Sequence, residues 1–533
     1  MRTKLSRRNV ILSSLLAGAS LGMPGVRRAA LALAQDPAVR IDPTSRELFD
    51  TTDLALNGGN GFAGKDNESG ALGWGGSYVL QAYLLMYRAY GDTKYLDKLV
   101  DQFDQFLAQR DSVRRAKDER IKWSPAWRCT SDYTCGSTIL NDAKGRPWLE
   151  VRTAVRPSTD VSVALAKGTA RGTWKLIATR NPDKSRDQPI VDIYDNLSVN
   201  NAQASDQIRA QFASINGTPA GARTMLTAVP TIAIPLNPIP TGPIPLSPDP
   251  YVFAVQVGQI TYPAAAFVRL VHETPELQSR YKAKARTFFE TIEPAVKMFD
   301  GDWREDKEAG EGWYIWPKGC PNPFDGAELP HNQYLALGRT MIHLAAIPNA
   351  SREYKDRPTK MARTLKNDLK LGPNDTYTWP YFWSKGWAYR GWKESDRVSA
   401  YQPVMVSPKI GGHKAVEDTS HAHLDVDFAR LAFENNLGVF DETDMKRFAN
   451  TFTRNILTTS KNDRPTTFAN VDGTGGKGSA DTIAAGWIPM AKWDERIYES
   501  VKEIYSGRTM PKPDKAVALL MGLAYLNWYE RQK

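Results

Sequence analysis

The chain has 533 residues, is 41% hydrophobic and 24% charged, and carries a formal net charge of +10. That composition belongs to a globular protein and excludes a low-complexity or fibrous one. Without residues 1–34, which hold six Arg or Lys and no acid, the net charge is +4, too mild for a nucleic-acid binder and compatible with an acidic soluble substrate.

Those first 34 residues read as a targeting segment. Ser6-Arg7-Arg8-Asn9-Val10-Ile11-Leu12 has the form of a twin-arginine export signal, followed by an apolar run and a small-x-small cleavage site at Ala32-Leu33-Ala34. Export by that pathway makes the mature protein periplasmic or secreted. No later apolar run approaches the ~20 residues of a membrane span. Three cysteines remain. Cys129 and Cys135 are close enough in sequence for a short disulfide loop in an oxidising compartment, and Cys320 is left over.

Residues 35–147 form a first helical part. Trp74-Gly75-Gly76-Ser77-Tyr78 opens a helix with Val79, Leu80, Tyr83, Leu84 and Tyr87 as its apolar positions. Gly91-Asp92 stops it, and a second helix follows from Lys94 with Leu96, Leu99, Phe103, Phe106 and Leu107 on one face. Residues 148–227 change character. Leu149–Val155, Val161–Leu165, Thr173–Ala178 and Ile190–Tyr194 are β-branched runs separated by polar turns, which predicts a small β-rich insertion. Residues 228–250 are Pro-rich and read as an extended connector.

From 251 to 533 the helical pairs return. Gln256-Val257-Gly258-Gln259 opens one, and Pro330-His331-Asn332-Gln333-Tyr334 another. Glu417-Asp418-Thr419-Ser420-His421-Ala422-His423-Leu424-Asp425 opens a third, and Asp481–Tyr505 with Pro513–Trp528 makes the last pair. A polar or aromatic cluster, an apolar helix, a turn and an amphipathic helix recur. Paired helices in succession predict a mainly α fold, an (α/α) toroid or barrel of helical hairpins with a small β-rich insertion. In such a ring the first helix of each pair lines the inside, and the helix starts share one mouth.

The densest cluster is 417–427, with two histidines and four carboxylates at a helix start, where Asp418, Thr419 or Ser420 can cap and the helix dipole favours anions. At about 100° per residue, His421 and His423 point to nearly opposite sides, whereas Glu417, His421 and Asp425 share a face. Either Asp425 orients the His421 ring, or those three hold a divalent cation; apart from that possibility no cofactor and no metal is expected. The stretch 372–416 carries Tyr377, Trp379, Tyr381, Phe382, Trp383, Trp387, Tyr389 and Trp392, a density suited to stacking on sugar rings or to a lid.

The hairpin pattern, with Pro330-His331-Asn332-Gln333-Tyr334 and Glu417-Asp418-Thr419-Ser420-His421-Ala422-His423, resembles the α/α-toroid polysaccharide lyases that cleave uronate polymers such as alginate and glucuronan. The resemblance covers roughly residues 70–110 and 250–530. It implies β-elimination on an acidic polysaccharide or oligosaccharide, with an amide or imidazole at the substrate carboxylate, a His or Tyr base, a Tyr acid and an Arg. The chemistry asks for the same groups. The C5 proton of a uronate is abstractable only when its carboxylate is neutralised, and a base and an acid must then handle two protons. Asn332 and Arg397 are candidates for the carboxylate, and His421 for the base. Tyr401, Tyr334 and Tyr498 compete for the acid. Trp74, Gln259, His331, Tyr334, Trp383 and His423 are candidate substrate contacts. The expected state is a monomer without membrane or nucleic-acid partners. Three competing readings are an inverting glycoside hydrolase on the same ring, using Asp418, Glu417, Asp425 or Asp481, a non-catalytic glycan-binding protein, and a C5-epimerase.

Overall fold

The computed structural model describes residues 41–119, 122–181, 188–197, 226–230, 240–391, 412–506 and 516–533; the export signal, Arg397 and Tyr401 lie outside them. The first helices are α1 (Arg46–Ala55), α2 (Ser77–Tyr90) and α3 (Lys94–Ala108). Gly91 ends α2 with φ 66°, a left-handed cap that glycine adopts without strain. The amphipathic α3 buries Leu96, Leu99, Phe103, Phe106 and Leu107.

Eight strands follow: β1 (Gly136–Asn141), β2 (Pro147–Thr153), β3 (Val161–Lys167), β4 (Trp174–Arg180), β5 (Ile190–Leu197), β6 (Leu226–Pro230), β7 (Thr241–Pro245) and β8 (Ser247–Pro248). They make two four-stranded sheets, ordered β6-β2-β1-β8 and β5-β4-β3-β7, and each described pairing is antiparallel. Alternate residues of β3 (Val161, Val163 and Leu165) point inward. They join Leu140, Val151, Leu176, Tyr194, Leu226 and Leu246 in a core separate from the helical one. The strands extend past both ends of the 148–227 stretch, and the described parts of the Pro-rich 228–250 segment supply β6, β7 and β8. All three are edge strands, where a residue lacking an N–H breaks no central ladder. At the neck of this unit Cys129 and Tyr251 exchange backbone hydrogen bonds of 2.7 and 2.9 Å.

The remaining elements are α4 (Ala254–Glu273), α5 (Pro275–Lys297), β9 (Trp303–Asp306), β10 (Glu311–Tyr314), α6 (His331–Ala345), α7 (Glu353–Asp368), β11 (Lys370–Gly372), β12 (Thr376–Thr378), α8 (Thr419–Glu434), α9 (Glu442–Asn450), β13 (Leu457–Thr459), β14 (Pro465–Thr467), a 3-10 segment (Ala484–Lys492), α10 (Arg496–Ser506) and α11 (Ala516–Glu530). Packing runs from α2 to α4, α6, α8, the 3-10 segment and α11, and α11 returns to α2. These elements are buried around much of their circumference, whereas α3, α5 and α7 bury one face. Backbones approach closely where α4 meets α6: a Cβ on Gly258 would lie 2.5 Å from Ala336 and Leu337 backbone atoms.

The mainly α class expected from the sequence, an (α/α) toroid with a small β insertion, is corrected by the strand content. About 49% of the structure is helix and 17% strand, which makes the fold mixed α/β. Besides the two sheets, hairpins β9–β10, β11–β12 and β13–β14 interrupt the helical region. Strands of three or four residues are too short to show a period in sequence. The expected Cys129–Cys135 bridge is absent: Cys129, Cys135 and Cys320 are free and buried. The Cys129 thiol instead points at the Glu68 carbonyl, 3.1 Å away.

Candidate active site

The start of α8 is built from its own sequence. Asp418 is the N-cap, and one carboxylate oxygen accepts from the backbone N–H of Ser420 (2.9 Å) and of His421 (3.0 Å) and from the Ser420 hydroxyl (2.6 Å). The other oxygen lies 2.6 Å from His421 Nδ1. Asp418, and not Asp425 as one sequence reading had it, therefore orients the imidazole. It fixes Nδ1 as the bonded nitrogen and leaves Nε2 for other work. The His421 side chain stays 31% exposed, which a proton-transfer group needs.

Two extended segments flank this cap. Glu417 N–H donates to the Trp379 carbonyl, and Tyr381 N–H to the Ala415 carbonyl, both at 2.9 Å. On the other side Thr419 N–H donates to the Ala469 carbonyl at 2.8 Å, and Val471 N–H to the Glu417 carbonyl at 3.1 Å. His331 N–H, at the start of α6, donates to the Tyr381 carbonyl at 3.2 Å. The Tyr381 segment thus ties the beginnings of α6 and α8 together. The Tyr381 and His421 ring centroids are 5.9 Å apart. Trp74, from the turn that opens α2, sets its ring edge-on to His421 at 6.3 Å.

Asn332 is 1% exposed, and neither its amide oxygen nor its nitrogen has a hydrogen-bond partner among the described residues. The Tyr381 hydroxyl lies beside the Asn332 and Gln333 amides closely enough to feel their dipoles, although no Asn332 atom meets full hydrogen-bond geometry. An amide this buried without a hydrogen bond of full geometry is costly.

Electrostatics separate the groups. Burial favours the neutral imidazole of His421, but the Asp418 charge and hydrogen bond outweigh it and raise the pKa. Burial also opposes ionisation of Asp418, yet His421 and Ser420 hold the carboxyl well below its usual range. Tyr381 is raised by burial and then by the Glu417 and Asp418 charges, so its hydroxyl keeps its proton. His423 is lowered to about 4, by burial first and by the Arg339 charge second; it is a neutral ring at physiological pH.

The other expected site residues lie in several places. His331 and Tyr334 are wholly buried. Both His331 nitrogens are used inside the protein, Nδ1 at 2.6 Å from the Tyr334 hydroxyl and Nε2 at 2.8 Å from Asp368. Gln259 and His423 lie beneath the cap. Gln259 donates to the Tyr78 hydroxyl at 3.2 Å and accepts from Arg339. His423 Nδ1 lies 2.6 Å from the Ser420 carbonyl. Its ring leaves no room for a side chain at Gly486, where a Cβ would meet it at 2.7 Å. Trp383 is 5% exposed and packs on Trp313 with centroids 4.1 Å apart. Tyr498 is buried, gives its hydroxyl to Glu530 and packs on Tyr529 at 4.9 Å, so its partners are at the C-terminal helix and not at α8. Arg397 and Tyr401 are outside the described residues. Sequence reasoning passed over Tyr381 as a site residue, seeing it only as one of many aromatics. Its signal is the strand pairing with 415–417, which no local pattern reveals.

Glu417, Asp418 and His421 present ligand atoms within 4.8 Å of one another. Both Asp418 oxygens are already engaged by Ser420 and His421, and Asp425 Oδ2 accepts from Trp379 Nε1 at 2.8 Å. Of the donors that the sequence suggests for a cation, Glu417 Oε2 and Asp425 Oδ1 have no partner among the described residues. Asp481 accepts from the Thr466 hydroxyl and from the N–H and hydroxyl of Thr467. A depression of about 660 Å³ lined by Thr453, Leu457, Glu499 and Lys502 lies elsewhere and contains no such cluster. No helix of the described residues is long and apolar enough to cross a membrane. No family model matches the chain, and neither a curated protein nor a solved structure matches it significantly.

Proposed function

We propose that this protein is a polysaccharide lyase that cleaves a uronate-containing polymer by β-elimination. The observation that carries the reading is the Asp418-oriented, part-exposed His421 beside Tyr381, with the buried Asn332 amide, which has no hydrogen bond of full geometry among the described residues, next to the Tyr381 hydroxyl. Asn332 would bind the uronate carboxylate and hold the developing enolate. His421 Nε2 would take the C5 proton, with Asp418 stabilising the imidazolium that forms. Tyr381, whose hydroxyl keeps its proton, would give that proton to the leaving C4 oxygen. Trp74 offers a ring face or edge for a sugar. Tyr381 here takes the acid role for which Tyr401, Tyr334 and Tyr498 were the sequence candidates. The partner is then an acidic polysaccharide or oligosaccharide. If residues 1–34 are an export signal, the enzyme meets that substrate outside the cytoplasm.

The hydrolase alternative is less well supported. It needs an accessible acid with a free proton, and Glu417 is wholly buried while Asp418 is bound to His421. Incubation with a panel of polyuronates, read by ultraviolet absorbance of the unsaturated product, tests the proposal. New reducing ends without that absorbance would show hydrolysis instead.

A further inference from the structure

Beneath His421 lies a second pair of acids that the reaction above does not use. Glu417 and Asp425 are both 0% exposed. Glu417 Oε1 accepts from the Asp418 N–H at 2.9 Å, and Asp425 Oδ2 accepts from Trp379 Nε1 at 2.8 Å. The other two oxygens, Glu417 Oε2 and Asp425 Oδ1, have no donor among the described residues. The two side chains lie within hydrogen-bonding reach of each other. As two carboxylates they would be buried acceptors in contact, each with an oxygen that no described donor satisfies. That arrangement is among the most expensive a protein interior can hold. One proton converts it into a hydrogen bond and satisfies both oxygens at once.

We infer that Glu417 and Asp425 hold a single proton between them, and that this proton fits the site to a carboxylate-bearing substrate. The inference rests on the uronate reading above. The groups facing the pair come from three elements: Asp418 and His421 at the start of α8, His331 and Tyr334 on α6, and Tyr381 with Trp379 from the extended segment. With every acid ionised, three carboxylates (Glu417, Asp418 and Asp425) would surround the neutral His421 ring that the reaction needs, and a substrate carboxylate would be a fourth. With the shared proton, the pair carries one negative charge in place of two, so the substrate carboxylate meets one charge fewer. Burial raises both acids, with the Asp425 and Asp418 charges adding to it at Glu417 and the Asp418 charge at Asp425, in agreement with a retained proton. Glu417 and Asp425 are positioning residues in this scheme and touch no substrate atom.

The test is infrared spectroscopy of the full-length folded protein with and without substitution. A carboxylic-acid C=O band at neutral pH, shifted in D2O and absent from both Glu417→Gln and Asp425→Asn, is the expected result, because either amide donates to the remaining carboxylate. No such band in the wild type, or a band that survives both substitutions, overturns the inference. So does a stoichiometric divalent cation found by elemental analysis and lost in Glu417→Gln, since a metal would then occupy the proton's place. Polyuronate kinetics give a second arm. Wild-type KM should climb about tenfold per pH unit once the proton is lost, as one linked proton requires, and KM of Glu417→Gln should not climb. The two readings fail separately. A band without any unsaturated product removes the lyase, and elimination without a band removes the shared proton.

Discussion

The Nδ1 of His421 lies 2.6 Å from a carboxylate oxygen of Asp418, and the same carboxylate caps the helix that carries the histidine. One side chain therefore sets the backbone that begins α8, the tautomer of the ring, and its basicity. These effects are separable by substitution.

Asp418→Asn keeps an equally good helix cap and removes the charge. Its kcat on a polyuronate should fall on the order of 10² or more, and its stability should lose the pH dependence that the pair confers while the cap is kept. The acidic limb of the pH–rate profile should move to lower pH, because His421 without the carboxylate stays neutral further into acid. Asp418→Ala should add the loss of the cap, about 1 kcal/mol by denaturant titration. An acidic limb that stays in place in Asp418→Asn removes His421 as the base.

The same pair sets the pH dependence of stability. Asp418 is depressed, so its contribution is present above the ordinary carboxyl pKa and is lost as pH falls through the depressed value. His421 is raised, so its contribution is complete below the ordinary imidazole pKa and is lost as pH rises through the raised value. Activity that needs neutral His421 should therefore increase over the range in which this stability declines. Parallel measurement of melting temperature and kcat across that range should show the two moving in opposite directions in wild type, with the coupling gone in His421→Gln.

Tyr381→Phe keeps the ring that packs near His421 and Phe382 and removes the hydroxyl. The expected result is a fall in kcat of about 10²–10⁴ with KM within a few-fold of wild type. A polymer carrying a better leaving group at C4 should recover part of the loss, because it depends less on the acid. Equal losses on both substrates would assign the acid elsewhere.

How far the sequence could be read depends on the range of the interactions involved. The α8 cluster was legible because a cap, a ring three residues on and an apolar helix are all local. His331 was legible as a helix start, but its ring is committed to Asp368, 37 residues away, and that could not be seen. Tyr381 owes its position to pairing with Ala415 and to the N–H of His331, again contacts between distant segments. The helical pairs announced themselves through the period of Leu99, Phe103 and Phe106. Hairpins such as β11–β12, three residues to a strand, carry no period, which is why the fold class read as mainly α when it is mixed. The Pro-rich segment predicts an extended connector, and its described parts supply edge strands instead, where a missing N–H breaks no central ladder.

Asn332 is a buried amide with no hydrogen bond of full geometry among the described residues, so it should cost stability in the free protein. Asn332→Leu, of similar size, should leave the denaturant midpoint unchanged or raise it, while kcat/KM on a polyuronate drops by 10² or more. That opposition is the mark of a group kept for a ligand. A variant both less stable and fully active would make Asn332 structural.

His331 was expected from sequence to touch substrate, and its surroundings argue for a different task. Asp368 accepts from His331 Nε2 at 2.8 Å and from the Ser384 N–H at 2.8 Å, and it also holds the Ser384 hydroxyl. It thereby anchors the segment that carries Tyr381 and Trp383 to the start of α6. Removing one partner leaves the others buried without a counterpart, so Asp368→Ala and His331→Ala should each destabilise by about 3–5 kcal/mol. Because they share one network, the double variant should cost 0.5–3 kcal/mol less than the sum of the singles, measurable by denaturant titration. A His331→Ala protein of unchanged stability whose KM for a polyuronate rises tenfold would return the residue to the substrate-binding set, since a ring whose two nitrogens are both held within the fold cannot be removed without loss to the fold.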